Sequence, residues 1–259
     1  MNWYRLTLLV PLIFIQIACT AITRRNDTPA RPVDSGENAA SLAARSQSIN
    51  QTLVSSRGIG RITFTHSGQP QRLRIAWVST VPEKLRVVLL GVDGRPLVTI
   101  SADGTWFYFL DHTTGAYRRE SPRGYRLKTA LQLPLDVRSL TLLLAGRVPS
   151  FDYDRTERMP GRTEAETALV LKKWRNTVGR VYMPKSRATI SRVESYRQTG
   201  QMRYRADILE TQSVKGHIVP RVLSIYDDGA NHFELDIERY WVNEPIRPGT
   251  FRLDPPEKR

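Results

Sequence analysis

The chain has 259 residues, 40% hydrophobic and 25% charged, with 16 glycines and 16 prolines; this excludes a fibrous or wholly disordered polypeptide and allows one large, turn-rich β domain. Its 39 Lys and Arg against 25 Asp and Glu give a formal charge of +14, which favours anionic neighbours: lipid headgroups, lipopolysaccharide phosphates, acidic polysaccharide or nucleic acid. A single cysteine excludes an internal disulfide framework and any multi-cysteine metal site.

That cysteine, Cys19, follows the apolar run Leu6–Ala18, which is preceded by Arg5. A basic residue followed by an apolar run too short to span a bilayer comfortably is the layout of a secretory signal. Ile17, Ala18 and Cys19 resemble a bacterial lipoprotein signal, so residues 1–18 are expected to be removed and Cys19 to carry the lipid. Each buried methylene contributes about 0.8 kcal/mol, so several acyl chains would make the anchor effectively permanent. Thr20 stands where aspartate would signal retention in the inner membrane, and by that resemblance the expected location is the outer membrane, facing the periplasm. Residues 19–38 carry Pro29, Pro32 and Gly36 with almost no large apolar side chain, and read as a flexible tether. One folded domain is expected over residues 39–259.

Leu42, Ile49 and Leu53 recur at helical spacing within Ala39–Val54. After Gly58 and Gly60 the period becomes two: Leu73, Ile75 and Trp77 alternate with Arg72, Arg74 and Ala76, and Leu85, Val87 and Leu89 with Lys84, Arg86 and Val88. Turn dipeptides separate the strands: Ser67-Gly68, Asp93-Gly94, Asp103-Gly104, Thr114-Gly115, Thr199-Gly200, Lys215-Gly216 and Asp228-Gly229. They fall in two groups around Leu133–Pro149, where Asp136 can cap a helix and Gly146 and Pro149 can stop it. Val137, Leu140, Leu143 and Leu144 share one stripe of that helix and Leu142 lies off it, more apolar surface than a single flat contact needs. A helix of about 11 residues, roughly 16 Å long, would fit across the mouth of a curled antiparallel sheet. Further strands carry Met202, Tyr204, Ala206 and Ile208, then Phe233, Leu235 and Ile237; Arg203 and Arg205 read as solvated side chains on the sheet exterior.

No phosphate-binding loop, nucleophile elbow or paired-histidine zinc motif occurs. His66, His112, His217 and His232 lack ligand-like spacing, Asp152 and Asp154 form an unspecific D-x-D, and Asp207 and Glu210 make at most a nominal acid–base pair. No nucleic-acid signature is present either. No enzyme, cofactor, metal or nucleic-acid partner is expected.

Several motifs resemble the LolA/LolB superfamily, and within it most nearly the outer-membrane lipoprotein acceptor branch, LolB. They are Leu133-Pro-Leu-Asp136 with Leu140, Leu143 and the Gly146–Pro149 exit, together with Gly58–Phe64, the Trp77 strand, Arg86–Leu90, Asp103–Tyr108, Ile225–Gly229 and Phe251–Pro256. The resemblance implies a mainly β fold, a half-open antiparallel barrel with helices covering the mouth, whose apolar hollow holds the acyl chains of another lipoprotein. Leu73, Ile75, Trp77, Leu85, Val87, Leu89, Leu140, Leu143 and Leu144 are the lining candidates. It also implies an acylated lipoprotein or lipid as cargo, a periplasmic LolA-like carrier as partner, attachment to the membrane by the lipid anchor, and a chain acting as a monomer. In that branch one hairpin loop bears an exposed leucine used in membrane insertion. Here the loop is Gly91–Gly94, where Asp93 takes the leucine's place and Val92 is the one apolar tip. Two readings follow: an acceptor or chaperone for acylated envelope molecules, or a non-enzymatic adaptor lipoprotein whose basic face docks an anionic partner.

Overall fold

The structure, a computed structural model, describes residues 38–66, 69–121, 127, 133–228 and 231–256. The expected signal, Cys19 and the tether lie outside these, as do the Ser67-Gly68 turn and Gly229. The described residues belong to one compact unit, Glu37–Arg259. The elements are α1 (Ala39–Ser48), β1 (Ser55–His66), β2 (Gln69–Thr80), β3 (Lys84–Leu90), β4 (Pro96–Asp103), β5 (Phe107–Asp111), β6 (Tyr117–Glu120), α2 (Val137–Leu144), β7 (Arg155–Pro160), β8 (Glu166–Lys173), β9 (Asn176–Pro184), β10 (Arg192–Tyr196), β11 (Met202–Val214), β12 (His217–Tyr226) and β13 (His232–Val242).

All thirteen strands form one antiparallel sheet in the order β6-β5-β4-β3-β2-β1-β13-β12-β11-β10-β9-β8-β7. It is two meanders joined where the first strand pairs with the last, Ile62 opposite Leu235 and Phe64 opposite Phe233. The edges β6 and β7 do not meet, so the sheet stays open and the expected mainly β, unclosed architecture is observed. The alternation expected in β2 and β3 is present, with Ile75, Trp77, Leu85, Val87 and Leu89 buried. Lys215 and Gly216 both take positive φ in the two-residue turn joining Val214 to His217, as a tight hairpin with the right twist requires.

Helix α2 is the element the sheet curls around. It packs against both β3 and β12, which in a flat sheet would lie four strand spacings apart, about 19 Å, whereas eight residues span only about 12 Å. Six consecutive residues, Ser139–Leu144, are buried, so the helix is enclosed on nearly its whole circumference. It is shorter than the expected eleven residues because its C-terminal cap closes early. Gly146, at φ +67, lets its own N–H bond Leu143 O at 2.9 Å and Arg147 N–H bond Leu142 O at 2.8 Å, a Schellman closure. A Cβ at residue 146 would also stand 2.8 Å from Ile218 O.

The outer face of the second meander is polar and internally paired. Register puts Arg180, Glu194, Arg205 and Tyr226 on one rung and Tyr182, Arg192, Asp207 and Ser224 on the next. Asp207 is buried between Arg192 and Arg205, and the Arg205 guanidinium lies 4.0 Å from the Tyr226 ring centre. Arg205 is therefore committed to this ladder rather than freely solvated, and Arg203 lies 3.8 Å from Asp136 at the start of α2. Cross-strand pairing of opposite charges explains the difference.

Candidate functional site: two hollows beside helix α2

The first hollow is apolar. Ile62 of β1, Ile75 and Trp77 of β2, Val87 of β3, Leu133, Leu140 and Leu144 of the helix region, Leu223 and Ile225 of β12, and Phe233 and Leu235 of β13 enclose it. Five central strands contribute these walls because residues two apart share a face, so successive rungs stack: Leu73–Ile62–Leu235–Leu223, then Leu89–Ile75–Gly60, then Val87–Trp77–Gly58. Gly58 is required there, since a Cβ would fall 1.9 Å from an indole carbon of Trp77. Trp77 meets Tyr240 edge-on at 5.9 Å, and its ring N–H donates to Ser56 Oγ at 3.3 Å. The polar handles of both aromatics are thus satisfied and the wall presents only carbon.

The hollow measures about 30 Å³. That is about one water molecule's share of volume, far less room than the resemblance implied. Of the nine lining candidates, Ile75, Trp77, Val87, Leu140 and Leu144 stand on its wall. Leu85, Leu89 and Leu143 are buried in the surrounding core, and Leu73 is half-buried against it. Ile62, Leu133, Leu223, Ile225, Phe233 and Leu235 complete the wall; the alternation of Phe233 and Leu235 was visible in the sequence, but not the β1–β13 pairing that carries β12 and β13 to the same place.

Helix α2 is fastened at both ends. Asp136 Oδ1 accepts the Ser139 N–H at 2.7 Å, Thr141 Oγ1 donates to Pro82 O, and Arg138 pairs with Glu83 at 2.5 Å. At the other end the Tyr240 hydroxyl donates to Leu144 O at 2.8 Å, and Asn50 Nδ2 donates to Ala145 O at 2.8 Å and to Ile218 O at 2.7 Å. With the Schellman bonds, the orphan carbonyls that end a helix are satisfied. Burial raises the Tyr240 phenol well above the usual tyrosine range and pushes Tyr204, whose hydroxyl meets Ser139 and Ser195, up to about 12.

On the other side of α2 lies a second hollow, an open cleft of about 340 Å³. Ser46, Gln47 and Gln51 of the α1 end, Leu142 of α2, Arg147–Phe151 and Tyr153 of the exit segment, Leu171 of β8 and Val181 of β9 line it. Leu142, the residue off the helical stripe, finds its burial here. Phe151 lies flush on β9 because Gly179 leaves room for it; a Cβ there would come 2.6 Å from the ring.

The remaining candidates are dispersed. Val92 is fully exposed at the β3–β4 turn, and Asp93 Oδ1 accepts the Arg95 N–H at 3.1 Å. Asp152 pairs with Lys173 at 2.8 Å, Asp154 accepts the Trp174 N–H at 2.8 Å, and Glu210 pairs with Arg221 at 2.6 Å. His112 meets Thr99, His217 meets Thr52, and His232 stacks on Tyr226. Among the described residues no cluster of metal-ligating side chains forms, and no helix is long and apolar enough to cross a membrane.

An open antiparallel sheet curled around an enclosed helix defines a LolA-like fold, and solved structures agree. The chain is similar to a DUF1329 family protein from Desulfovibrio piger (11% identity, TM-score 0.60, 82% of this chain and 95% of that one). It is also similar to a putative outer membrane lipoprotein-sorting protein domain from Vibrio parahaemolyticus (9%, 0.55, 84% and 97%) and a LolA superfamily protein from Nitrosomonas europaea (15%, 0.57, 83% and 97%). At these identities the likeness is one of fold. No protein-family model and no curated protein matches the sequence.

Proposed function

We propose that the protein is an outer-membrane-anchored lipoprotein of the LolB type, tethered through Cys19, that binds acyl chains of lipoproteins or another lipidated envelope molecule and helps localise them. The observation that carries this reading is the all-carbon wall of the cavity beneath α2, inside a fold shared with a lipoprotein-sorting domain. No covalent chemistry is needed. An acyl chain transfers because the wall removes it from water, about 0.8 kcal/mol for each methylene buried. At about 30 Å³ the hollow is not a preformed slot, so the guest enters by displacing Leu140 and Leu144 from the space they fill. A periplasmic LolA-like carrier would supply the cargo, and the chain would act as a monomer.

Native mass spectrometry of the chain from Thr20 onward, which contains the whole compact unit, tests this. A stoichiometric acyl adduct, regained on adding palmitate after delipidation, is the expected result. The small volume of the cavity favours a second reading, a rigid adaptor that docks an anionic envelope partner through its basic surface. That reading expects a chain that never takes up palmitate and a salt-sensitive association with acidic polysaccharide, and such an outcome would replace the first.

A further inference from the structure

The cleft on the far side of α2 is more than ten times larger than the apolar cavity and differs from it in chemistry. Its floor is apolar: Leu142, Val148, Phe151, Leu171 and Val181. Its rim carries hydrogen-bond donors and no carboxylate. Arg147 is half-buried there and, among the described residues, has neither ion pair nor hydrogen bond through its side chain. Tyr153 accepts a bond from Gln47 Nε2 at 3.1 Å, which leaves its own proton free to donate, and the exposed Ser150 lines the same cleft. The walls are preset, because Asn50 ties the turn after α1 to the end of α2 and Gly179 seats the Phe151 ring.

A half-buried arginine with no counter-ion among the described residues, sharing its cleft with two hydroxyls over an apolar lining, is matched by an anion carried on hydrocarbon. The volume falls within the range of small-molecule sites and admits a headgroup with a short run of methylenes. We propose that this cleft is a second ligand site, distinct from the acyl cavity, that binds an anionic amphiphile, its carboxylate or phosphate held by Arg147, Tyr153 and Ser150 and its first methylenes resting on Phe151 and Leu142. The two headgroups share this chemistry but come from different sources: carboxylate from a free fatty acid, phosphate from a phosphorylated lipid.

The test is calorimetric titration of the chain from Thr20 onward with decanoate, decyl phosphate and decanol, each below its micelle-forming concentration. The site expects at least one of the two anions to bind well above decanol, and the tighter anion names the source. Arg147→Gln should weaken that anion about tenfold and leave decanol unchanged. Because the Arg147 side chain has no partner among the described residues to lose, the melting temperature should not move. Ser150→Trp, at an exposed wall position, should exclude the anion by filling the space, again without unfolding the chain. A loss under threefold in Arg147→Gln, or decanol binding as tightly as the anions, overturns the assignment. The acyl-cavity reading is judged separately. Palmitate uptake that survives both substitutions supports the cavity and bears on nothing in the cleft, while Arg147-dependent binding of decyl phosphate without palmitate uptake leaves the cleft standing alone.

Discussion

The two hollows share a wall, α2, yet one is carbon-lined and nearly full, a place where water has no partner to hold it, and the other is partly polar and open to solvent. Leu140 and Leu144 face the first, and Leu142 faces the second. The central strands β3, β2, β1, β13 and β12 pack their apolar rungs against the helix until about 30 Å³ is left. On the other side the chain leaves α2 through Gly146 and Pro149, and an irregular exit segment cannot pack as a sheet does, so about 340 Å³ remains. Regular pairing closes space, and a loop beside it keeps space open. Binding in the dry hollow must therefore be bought with repacking, whereas binding in the cleft displaces water.

The largest effect that would separate the two sides is a truncation on each. Leu144→Ala should cost about 3 kcal/mol, because the lost transfer energy is joined by the cost of an enclosed void. Leu142→Ala opens onto the cleft and forms no closed void, so about 2 kcal/mol is expected. Urea denaturation of both variants measures the difference, and equal costs would mean that the two walls are not distinct. Leu144→Ala should also take up palmitate more tightly, since less side chain must move.

Next in size is the alkaline limit of the dry side. Tyr204 meets Ser139 at the start of α2 and its hydroxyl is pushed up to about 12 by burial, against about 10 in an unfolded chain. Because the folded value is the higher one, its stabilising contribution is complete below about pH 10 and is lost as pH rises towards about 12. The loss is on the order of 2 kcal/mol, and Tyr204→Phe should flatten it. Stability measured from pH 9 to 12 checks this, and an unchanged slope in Tyr204→Phe would detach Tyr204 from the effect.

Local signals in the sequence were sufficient for local structure. Asp136 and Gly146 mark the ends of α2, and period-two alternation marks β2 and β3, because caps and faces depend on residues a few positions apart. A curled antiparallel sheet with a helix across it was legible from the order of those signals, and the half-open LolA-like architecture from the resemblance of the motifs. The pairing of β1 with β13 was not, since it joins residues more than 170 positions apart, such as Ile62 and Leu235. Four of the eleven wall residues, Leu223, Ile225, Phe233 and Leu235, depend on that pairing. Nor could a helical wheel say that Leu142, off the stripe, lines a hollow of its own, or that Arg205 is spent on Asp207 and Tyr226. Packing volume is a property of all the walls together, so a leucine-rich plug was visible and the degree of filling was not.

The smallest expected effect is also the sharpest test, because the same kind of bond occurs in both hollows. Tyr240 on the dry side donates its hydroxyl to Leu144 O at 2.8 Å, in a place where water does not replace it. Tyr240→Phe leaves that carbonyl without its side-chain donor and should cost about 1–2 kcal/mol. In the cleft, Gln47 Nε2 donates to the Tyr153 hydroxyl at 3.1 Å, and this bond is exposed. After Gln47→Ala, water reaches the phenol at once, so the change should stay within about 0.5 kcal/mol. The ratio of the two costs measures how much water each hollow admits, independently of any ligand. A Gln47→Ala cost matching that of Tyr240→Phe would mean that the cleft excludes water as the cavity does, and its claim to a solvated anionic headgroup would fall with it.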